Sequence, residues 1–455
     1  MKLFDDTIIG ISTALSKGAI SIIRLSGDDA IKIVNKVFKG IDLSKVEPNT
    51  INYGHIVDSD SCQIIDEVLV SIFKAPKSYT KEDVVEINCH GGLFVTNKIY
   101  EQLVLLGARP SEPGEFTKRA FLSGRIDLTK AEAVMDVINA ENSAALKIAN
   151  SALNGKISTF VDQKRQELLD IIATISVNID YPEYDDVEQL TNEDILPKLK
   201  TIKLELEDVL NNAKSAKLLK NGINTVIVGK PNVGKSSLLN TLIGENKAIV
   251  TNIPGTTRDI VEASINLGQV TLNLIDTAGI RITEDVVEKI GVEKSKEQIN
   301  KADIILCVLD GSEPINEQDK EILNEIKNKC HLTIINKIDL EQKINLGEVD
   351  DNVLFISTKN NNTIKELENK ILETLNLNNL FNKDITYISN ARQLEKINFA
   401  IKALDEALTT IENEATIDFV DIDIRKAWLY LGEIVGQTST DNLLDELFSK
   451  FCLGK

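Results

Sequence analysis

The chain has 455 residues, of which 42% are hydrophobic and 27% are charged, and this balance excludes an intrinsically disordered protein. The 51 Lys and Arg residues are outnumbered by 70 Asp and Glu residues, so the net charge of −19 opposes non-specific attraction to nucleic acid phosphates. If RNA binds, a local basic patch or a basic partner must hold it.

The length predicts about three domains. No apolar run reaches the roughly 18 residues that a membrane-spanning helix needs, and residues 1–6 lack the layout of a signal peptide. The five cysteines have no C-x-x-C spacing, and the three histidines do not cluster with them, so neither a disulfide framework nor a zinc site is indicated. Cys89 and Cys307 lie in apolar runs and are predicted core residues. We expect a cytoplasmic protein with reduced thiols and no membrane contact.

Residues 1–117 are predicted to form an α+β domain of short elements. Strand-type apolar runs occupy residues 7–12, 19–25, 64–73 and 84–89. Helical patterns occupy residues 28–38, with Asp28 as the expected cap, and residues 93–106.

Residues 118–220 and 379–455 are predicted to be mainly helical. Thr129 and Glu132 fit a T-x-x-E capping box, and Asn221 with Gly222 fits the end of a helix that spans 192–219. Helical patterns return at 390–412, 421–435 and 441–448. Since helices flank the α/β block at 221–378, we expect that block to be inserted into one discontinuous helical domain.

Within 221–378, apolar strands alternate with helices, which predicts a doubly wound, mostly parallel sheet. Residues 229–236, Gly-Lys-Pro-Asn-Val-Gly-Lys-Ser, fit the phosphate-loop pattern G-x-x-x-x-G-K-[ST] at every specified position, between a strand-type run and a helical run. Backbone N–H groups of such a loop cradle phosphates, the lysine contacts the β- and γ-oxygens, and the serine hydroxyl binds Mg²⁺. The predicted ligands here are Asn232, Val233, Gly234, Lys235, Ser236 and Ser237.

Two further segments are switch candidates, ordered by the γ-phosphate and released on hydrolysis. Residues 255–259, Gly-Thr-Thr-Arg-Asp, offer hydroxyl groups for Mg²⁺, with Thr257 the best candidate. Residues 276–279, Asp-Thr-Ala-Gly, form the D-x-x-G motif in which the carboxylate reaches Mg²⁺ through water and the glycine N–H senses the γ-phosphate. The switch residues predicted to contact the nucleotide are Thr251, Asn252, Ile253, Pro254, Gly255, Thr256, Thr257, Asp276, Thr277, Ala278 and Gly279.

The run Asn336-Lys-Ile-Asp339 follows a strand-type segment and predicts the choice of base. A carboxylate at Asp339 accepts from two guanine N–H donors and would oppose an acceptor on adenine, so we expect GTP to be preferred over ATP. Residues 357–359 are placed to donate backbone N–H groups to the guanine carbonyl. The predicted base contacts are Asn336, Lys337, Ile338, Asp339, Ser357, Thr358 and Lys359.

Hydrolysis needs a group that orients water. Ile280 stands directly after D-x-x-G, where a glutamine does this work in related hydrolases, and an isoleucine cannot polarise water. Glu284 and Glu288 in the same switch are the candidates, and a solvated helix start is the alternative interpretation of either acid.

Further segments narrow the family. Gly91-Gly92, Pro113-Gly-Glu-Phe116, Arg119-Ala-Phe121 and the final Phe451-Cys-Leu-Gly-Lys455, together with the motifs above, resemble the MnmE (TrmE) family of tRNA modification GTPases over residues 7–455. The resemblance implies a K⁺-dependent GTPase that dimerises through its N-terminal domain and pairs its GTPase domains during hydrolysis. It also implies a heterotetramer with the FAD-dependent protein MnmG, which holds most of the tRNA. That complex installs an aminomethyl or carboxymethylaminomethyl group at C5 of the wobble uridine.

The resemblance also implies site residues. The K⁺ ligands map onto Asn232, Thr251, Ile253 and Thr256, the middle two through backbone oxygens. The water-orienting acid falls on Glu288, while Arg258 either assists hydrolysis or holds the switch through a salt bridge. The N-terminal domain resembles folate-binding one-carbon domains, so that Arg24, Glu86, Arg125 and Lys455 would hold 5-formyltetrahydrofolate or a related folate. The family often has lysine at position 125. Cys452 becomes a functional candidate whose chemistry is unassigned.

Two other functions fit parts of the sequence. A GTP-regulated ribosome-assembly factor would share the nucleotide motifs but lack folate affinity, and the tail at 451–455 argues against it. A self-sufficient folate enzyme would act without GTP or a partner, which leaves the nucleotide motifs without a role.

Overall fold

The computed structural model describes residues 5–180, 192–245, 261–275, 299–349, 351–357, 363–377, 388, 390–413, 416–437, 440–451 and 454. The chain divides into two compact units, Met1–Met135 with Gly432–Lys455 and Asp136–Leu431. Among the residues described, we find no helix with the length and apolar character needed to cross a membrane.

The strands are β1 Ile8–Ile11, β2 Ile20–Ser26, β3 Phe38–Lys39, β4 Thr50–Val57, β5 Ile64–Phe73, β6 Val84–His90, β7 Arg109–Pro110, β8 Ile223–Val228, β9 Val261–Leu267, β10 Val270–Ile275, β11 Ile304–Asp310, β12 His331–Asn336 and β13 Val353–Phe355. The helices are α1 Ala30–Asn35, α2 Leu93–Leu105, α3 Glu115–Leu122, α4 Leu128–Ile138, α5 Ser143–Leu153, α6 Lys156–Asp180, α7 Asn192–Asn221, α8 Lys235–Glu245, α9 Glu317–Ile326, α10 Thr363–Thr374, α11 Ala391–Glu412, α12 Ile417–Val435 and α13 Asp441–Ser449.

The first unit is built on a seven-stranded sheet with the order β3-β4-β5-β6-β2-β1-β7. All neighbours are antiparallel except β1 and β7. Alternate residues of β2, such as Ile23 and Leu25, are buried in a core that includes Ile31 of α1 and Ile99 of α2. Because side chains of a strand alternate between faces, Arg24 belongs to the other face of this sheet. Cys89 is 3% exposed in this core, as predicted.

Two predicted helix caps are wrong. Helix α1 has Asp29 rather than Asp28 at its N-cap, and the Asp29 carboxylate contacts Lys32 instead of a backbone N–H. Thr129 lies inside α4, where Asp127 accepts from the backbone N–H of Lys130 at 3.0 Å. The Thr129 hydroxyl donates to Asp127 as well, at 2.6 Å. An aspartate is a better cap than a threonine, so the T-x-x-E pattern was out of register.

The second unit contains the α/β block. Its six-stranded sheet has the order β13-β12-β11-β8-β10-β9, and all neighbours are parallel except β9 and β10. Along β11, Leu306 packs with α8 and α10, whereas the next residue, Cys307, packs with Ile326 of α9 on the other face. Helices therefore cover both faces, as the doubly wound prediction requires. Cys307 is fully buried, as expected.

Helices α6, α7, α11 and α12 form the helical part of the second unit. Lys203 of α7 contacts Asp405 of α11 at 2.6 Å, and Arg165 of α6 lies over the Trp428 ring of α12 at 4.2 Å. The chain passes from α7 into β8 at Gly222, whose φ of +85° confirms the predicted helix end. Helical segments thus precede and follow the α/β block, as expected, and the exact domain boundaries remain predictions.

Candidate functional site

The loop between β8 and α8 approaches its neighbours too closely for side chains at two glycines. A Cβ on Gly234, which has φ +102°, would lie 2.1 Å from Asn336 Nδ2, and one on Gly229, with φ +149°, would lie 2.4 Å from the Val308 carbonyl oxygen. Both conformations are open to glycine alone without strain. The strand, loop and helix predicted around residues 229–236 are confirmed, and this cradle has the form that phosphate binding needs.

Lys235 begins α8 and its ammonium lies across the loop. Lys235 Nζ donates to the carbonyl oxygens of Gly229 at 2.6 Å and Lys230 at 2.7 Å. Burial lowers the pKa of Lys235 from its usual value, because the charged form loses hydration. Anionic oxygens placed at the loop would restore favourable interactions for this charge. Ser236 and Ser237 follow in the first turn of the same helix.

The loop is anchored from outside by an ion pair that the sequence did not reveal. Lys230 Nζ lies 3.0 Å from Glu313 Oε2 and 3.2 Å from Asp319 Oδ2. Asp319 is 3% exposed and also completes the capping box of α9 with Asn316. The pairing joins residues more than 80 positions apart in the chain, so no local pattern predicts it. It fixes the backbone whose carbonyl holds Lys235.

The residues predicted to read the base converge on the same loop. Asn336 Nδ2 donates to the Val233 carbonyl oxygen at 3.0 Å. The Asn336 side chain is 1% exposed, and its Oδ1 finds no hydrogen-bond partner within the described ranges. A buried polar atom without a partner is costly, so this position fits a ligand.

Asp339 is held by the next loop. Ser357 Oγ donates to Asp339 Oδ1 at 2.9 Å, and the backbone N–H of Ile338 donates to the Ile356 carbonyl oxygen at 3.3 Å. The β12–β13 pairing brings these two loops together at the carboxyl ends of both strands. One carboxylate oxygen is therefore fixed by a hydroxyl, which orients the group for a ligand.

Lys337 is also fixed, by a partner the sequence did not indicate. It has φ +63°, and its Nζ lies 2.5 Å from Asp310 Oδ2. Burial alone would raise the pKa of Asp310, but hydrogen bonds from Lys337 and Ser312 outweigh burial and lower it. Asp310 is thus an anion that holds the lysine beside the base-reading residues.

The switch residues and two of the predicted base contacts fall outside the described ranges. This applies to Thr251, Asn252, Ile253, Pro254, Gly255, Thr256, Thr257, Arg258, Asp276, Thr277, Ala278, Gly279, Glu288, Thr358 and Lys359. The adjoining strands are described: β10 is parallel to β8 and ends at Ile275, directly before the D-x-x-G motif. The carboxyl ends of parallel strands share one edge, so the end of β10 lies at the same edge of the sheet as the phosphate loop.

Few of the predicted metal ligands can be located. Ser236 for Mg²⁺ and Asn232 for K⁺ both lie at the phosphate loop, and Asn232 has φ +63°. Where side chains are described, no group of three or more His, Cys, Asp or Glu residues could hold a metal ion. A hydroxyl and an amide oxygen are suitable hard ligands, so the residues present fit both cations.

The predicted folate residues Arg24 and Glu86 face each other across β2 and β6. Arg24 Nε and Nη2 both lie 2.8 Å from Glu86 Oε1, and the Arg24 side chain is 21% exposed. The Gly454 carbonyl oxygen accepts from Arg24 Nη1 at 3.3 Å and from Ser12 Oγ at 3.0 Å. The C-terminal tail is therefore seated beside this ion pair. Its residues Cys452 and Lys455 lie outside the described residues.

The tail fits because two glycines meet. A Cβ on Gly10 of β1 would lie 2.8 Å from Gly454 Cα, and a Cβ on Gly454 would lie 2.3 Å from the Ile11 carbonyl oxygen. Arg24 also lies over the Phe116 ring at 5.6 Å. The arginine is thus part of a built polar site rather than a surface charge.

The fourth predicted folate residue is not in contact with this pair. Arg125 follows α3 and its guanidinium lies 4.8 Å from the Tyr79 ring centroid. Its described contacts are with Tyr79 and not with Arg24 or Glu86.

A buried ion-pair network lies behind the sheet edge and was not predicted. Arg119 is fully buried, and its guanidinium donates to Asp6 Oδ1 at 2.7 Å, Glu82 Oε1 at 3.1 Å and Glu115 Oε1 at 3.0 Å. Arg109 Nη2 donates to the same Glu115 oxygen at 2.5 Å. Burial alone would raise the pKa of Glu115, but these hydrogen bonds and one from the Glu112 N–H lower it. The segments Pro113-Gly-Glu-Phe116 and Arg119-Ala-Phe121 gave the sequence signal.

Comparison with known proteins covers nearly the whole chain. Residues 7–125 match the family model of the GTP-binding protein TrmE N-terminus, and residues 128–452 match that of the MnmE helical domain. The tRNA modification GTPase MnmE of Bacillus cytotoxicus is 50% identical over 455 residues, and that of Bacillus mycoides is 49% identical, each covering 99% of both chains. Among solved structures, the G domain of the T. maritima FeoB iron transporter is 27% identical with a TM-score of 0.26. The match covers 33% of this chain and 98% of that chain.

Proposed function

Since the chain belongs to the MnmE (TrmE) family of tRNA modification GTPases and hydrolyses GTP, we propose that it acts with the FAD-dependent protein MnmG on the wobble uridine of tRNA. The complex would install an aminomethyl or carboxymethylaminomethyl group at C5 of that base. The observation that carries the nucleotide part is the convergence of the phosphate loop, Asn336 and the Ser357–Asp339 pair at one edge of the sheet.

Binding of GTP follows from this edge. The loop N–H groups and Lys235 hold the phosphates, while Asp339 accepts from the two guanine N–H donors. Ser357 fixes one Asp339 oxygen, which sets the orientation of the carboxylate. Ser236, Thr257 and Asp276 would hold Mg²⁺, which would supply positive charge at the phosphate oxygens. The proposed nucleotide contacts include the switch residues at 251–257 and 276–279 and the loop at 357–359.

Hydrolysis requires charge stabilisation and an oriented water. Asn232, Thr251, Ile253 and Thr256 would hold K⁺, which would supply charge of the kind that an arginine supplies in other GTPases. Glu288 would accept a hydrogen bond from the attacking water and so orient it, a role that Ile280 cannot take. Arg258 stabilises the same switch.

The second site lies on the sheet of the first unit. Glu86 would accept from pterin N–H donors of 5-formyltetrahydrofolate, and Arg24, 2.8 Å from Glu86, would contact the same end of the folate. The seating of Gly454 on Arg24 supports a role for the tail, because it brings the segment that contains Cys452 and Lys455 to this ion pair. Arg125 would contribute a further positive charge.

The structure also supports conformational control of the helices by the nucleotide. Asn142, the N-cap of α5, donates through Nδ2 to the Leu219 carbonyl oxygen of α7 at 3.2 Å and to Thr271 Oγ1 of β10 at 3.0 Å. Thr271 in turn donates to Asn266 Oδ1 of β9 at 2.8 Å. Strands β9 and β10 adjoin the two switch segments, so a switch movement is transmitted to α5 and α7.

Assembly completes the proposal. The protein would be a cytoplasmic homodimer that joins MnmG in a heterotetramer, with most of the tRNA on MnmG because this chain carries a net charge of −19. The proposed domains are 1–117, a discontinuous helical domain at 118–220 and 379–455, and the GTPase domain at 221–378.

Reconstitution tests the proposal. We expect the purified chain, MnmG, tRNA, GTP and a folate one-carbon donor to modify the wobble uridine in KCl. In NaCl we expect GTP turnover to slow. Modification without this chain would contradict the pathway, and equal turnover in both salts would contradict the role of Asn232.

A further inference from the structure

A basic hollow lies on the first unit, beside the segment that follows α3. It has a volume of about 420 Å³ and is lined by Phe73, Pro76, Lys77, Ser78, Tyr79, Lys81 and Arg125. Three of these seven residues are cations and none is an acid. In a chain with a net charge of −19, a local charge of +3 is unusual, because random placement would put acids among the lining residues.

The loop between β5 and β6 also contains two acids, Glu82 and Asp83, which do not line the hollow. Glu82 accepts from the buried Arg119 at 3.1 Å and from Ser26 Oγ at 2.6 Å. Asp83 Oδ1 accepts from the backbone N–H of Ala75 at 2.9 Å. Both acids of the segment from Lys77 to Asp83 are therefore engaged by other groups, and neither lines the hollow.

Two of the three cations are positioned before any ligand arrives. Arg125 stacks on Tyr79 at 4.8 Å, and the Tyr79 hydroxyl is fixed by a 3.1 Å hydrogen bond with Thr117 Oγ1. Lys81 has φ +63°, and its Nζ donates to the Ser123 carbonyl oxygen at 2.9 Å. Within the part of the chain that the structure describes, no carboxylate pairs with these cations. A rigid group of cations loses little entropy when it binds an anion.

We propose that this hollow binds the phosphodiester backbone of tRNA. The proposal rests on the family's role in tRNA modification and does not depend on MnmG or K⁺. Of the three cations, only Arg125 is also assigned to the folate site. Arginine and lysine fit phosphate oxygens, and the Tyr79 ring that could stack on a base already carries Arg125. Because the net charge of the chain is negative, RNA can bind it only at a local group of cations, and the hollow contains such a group.

The test replaces two residues of the hollow that have no role in the nucleotide or folate sites. The double variant Lys77→Gln, Lys81→Gln of the full-length chain is compared with wild type for binding of fluorescently labelled tRNA in about 0.05 to 0.3 M KCl. We expect roughly tenfold weaker binding near 0.1 M KCl and a salt slope reduced by about 1.5, because each phosphate contact contributes about 0.7 to 0.9 to the slope. GTP turnover in the absence of tRNA should be unchanged.

The matched control is Lys36→Gln, which removes an exposed lysine at the end of α1. It should leave both affinity and slope unchanged. Unchanged tRNA binding by the double variant would overturn the proposal, as would the absence of measurable tRNA binding by wild type in about 0.05 M KCl. If the variant instead lost affinity for a polyglutamylated folate and kept its affinity for tRNA, the hollow would be a folate-tail site and the proposal would be wrong. Absence of wobble modification in the wild-type reconstitution would contradict the proposed function, but it would leave the proposal that the hollow binds tRNA unaffected.

Discussion

Replacing Asp339 by asparagine should change which purine the protein prefers. Ser357 Oγ donates to Asp339 Oδ1 at 2.9 Å, so the variant's amide oxygen should occupy that position and accept the same hydrogen bond. The amide nitrogen would then point toward the base. A donor at that position opposes the N–H groups of guanine and matches the additional carbonyl oxygen of xanthine.

The magnitude follows from the hydrogen bonds that change. A hydrogen bond to a charged group contributes about 1.5 to 3 kcal/mol, and an unmatched buried donor costs a similar amount. A total near 3 kcal/mol corresponds to roughly 100-fold weaker binding of GTP, since about 1.4 kcal/mol is a factor of ten. We expect XTP to gain affinity by a comparable factor.

Displacement of a bound fluorescent nucleotide by GTP and, separately, by XTP measures the affinity of each variant for both nucleotides. Asp303→Asn is a matched control. Asp303 directly precedes β11, at the amino end of that strand and away from the predicted base site, and its carboxylate accepts from the Asn224 N–H at 2.9 Å. It should leave the ratio of affinities unchanged. Adding Ser357→Ala to Asp339→Asn should reduce the switch toward XTP, since the hydroxyl no longer selects the amide orientation. An unchanged GTP to XTP ratio in Asp339→Asn would refute the placement of the guanine site.

Three other perturbations test separate parts of the account. Gly234→Ala should weaken nucleotide binding by about 100-fold or more, because its Cβ would lie 2.1 Å from Asn336 Nδ2 and the φ of residue 234 is +102°. A titration with fluorescent GDP measures this affinity. An affinity near that of wild type would show that the loop tolerates a side chain. Glu288→Ala should keep GTP affinity within about twofold and lower turnover by about 100-fold, measured as kcat and KM, whereas unchanged turnover would exclude Glu288 as the water-orienting group. The lowered pKa of Glu115 means that its pairing with Arg109 stabilises the protein above the ordinary glutamate pKa of 4.5 and ceases to do so as the pH falls below it. The free energy of urea unfolding should therefore fall as the pH is lowered below 4.5, and Glu115→Gln should show a smaller fall over the same range; equal pH dependence would contradict the pairing.

Much of the fold could be predicted because its patterns are local. Strand β5 spans Ile64–Phe73 as predicted, and β6 and α2 end within one residue of the expected 84–89 and 93–106. Their signals are continuous apolar runs and helical periodicity, which the surrounding chain does not override. Strand β4 was not predicted, since polar Asn52 and His55 interrupt its apolar run.

The partners of charged residues could not be predicted. Lys230 pairs with Asp319, and Lys337 pairs with Asp310, in each case across more than 20 residues of intervening chain. Residue type shows that a lysine needs an anion, but only the fold decides which anion is near. For the same reason the sequence did not distinguish Arg24, which pairs with Glu86, from an ordinary surface charge.

The site residues also fall into those that a local motif predicts and those whose contacts depend on the fold. The phosphate loop, Asn336 and Asp339 belong to short motifs whose spacing carries the chemistry, so their positions were predictable. The contact of Gly454 with Arg24 joins positions 430 residues apart, and only the resemblance to a family suggested it.

Nucleoside analysis of tRNA tests the central claim most directly. A strain that lacks this chain is complemented either with wild type or with Lys235→Ala, the residue that spans the phosphate loop. We expect the C5 modification of the wobble uridine to be lost in the deletion strain, restored by wild type and not restored by the variant. A wobble uridine profile that is the same in all three strains would contradict the account.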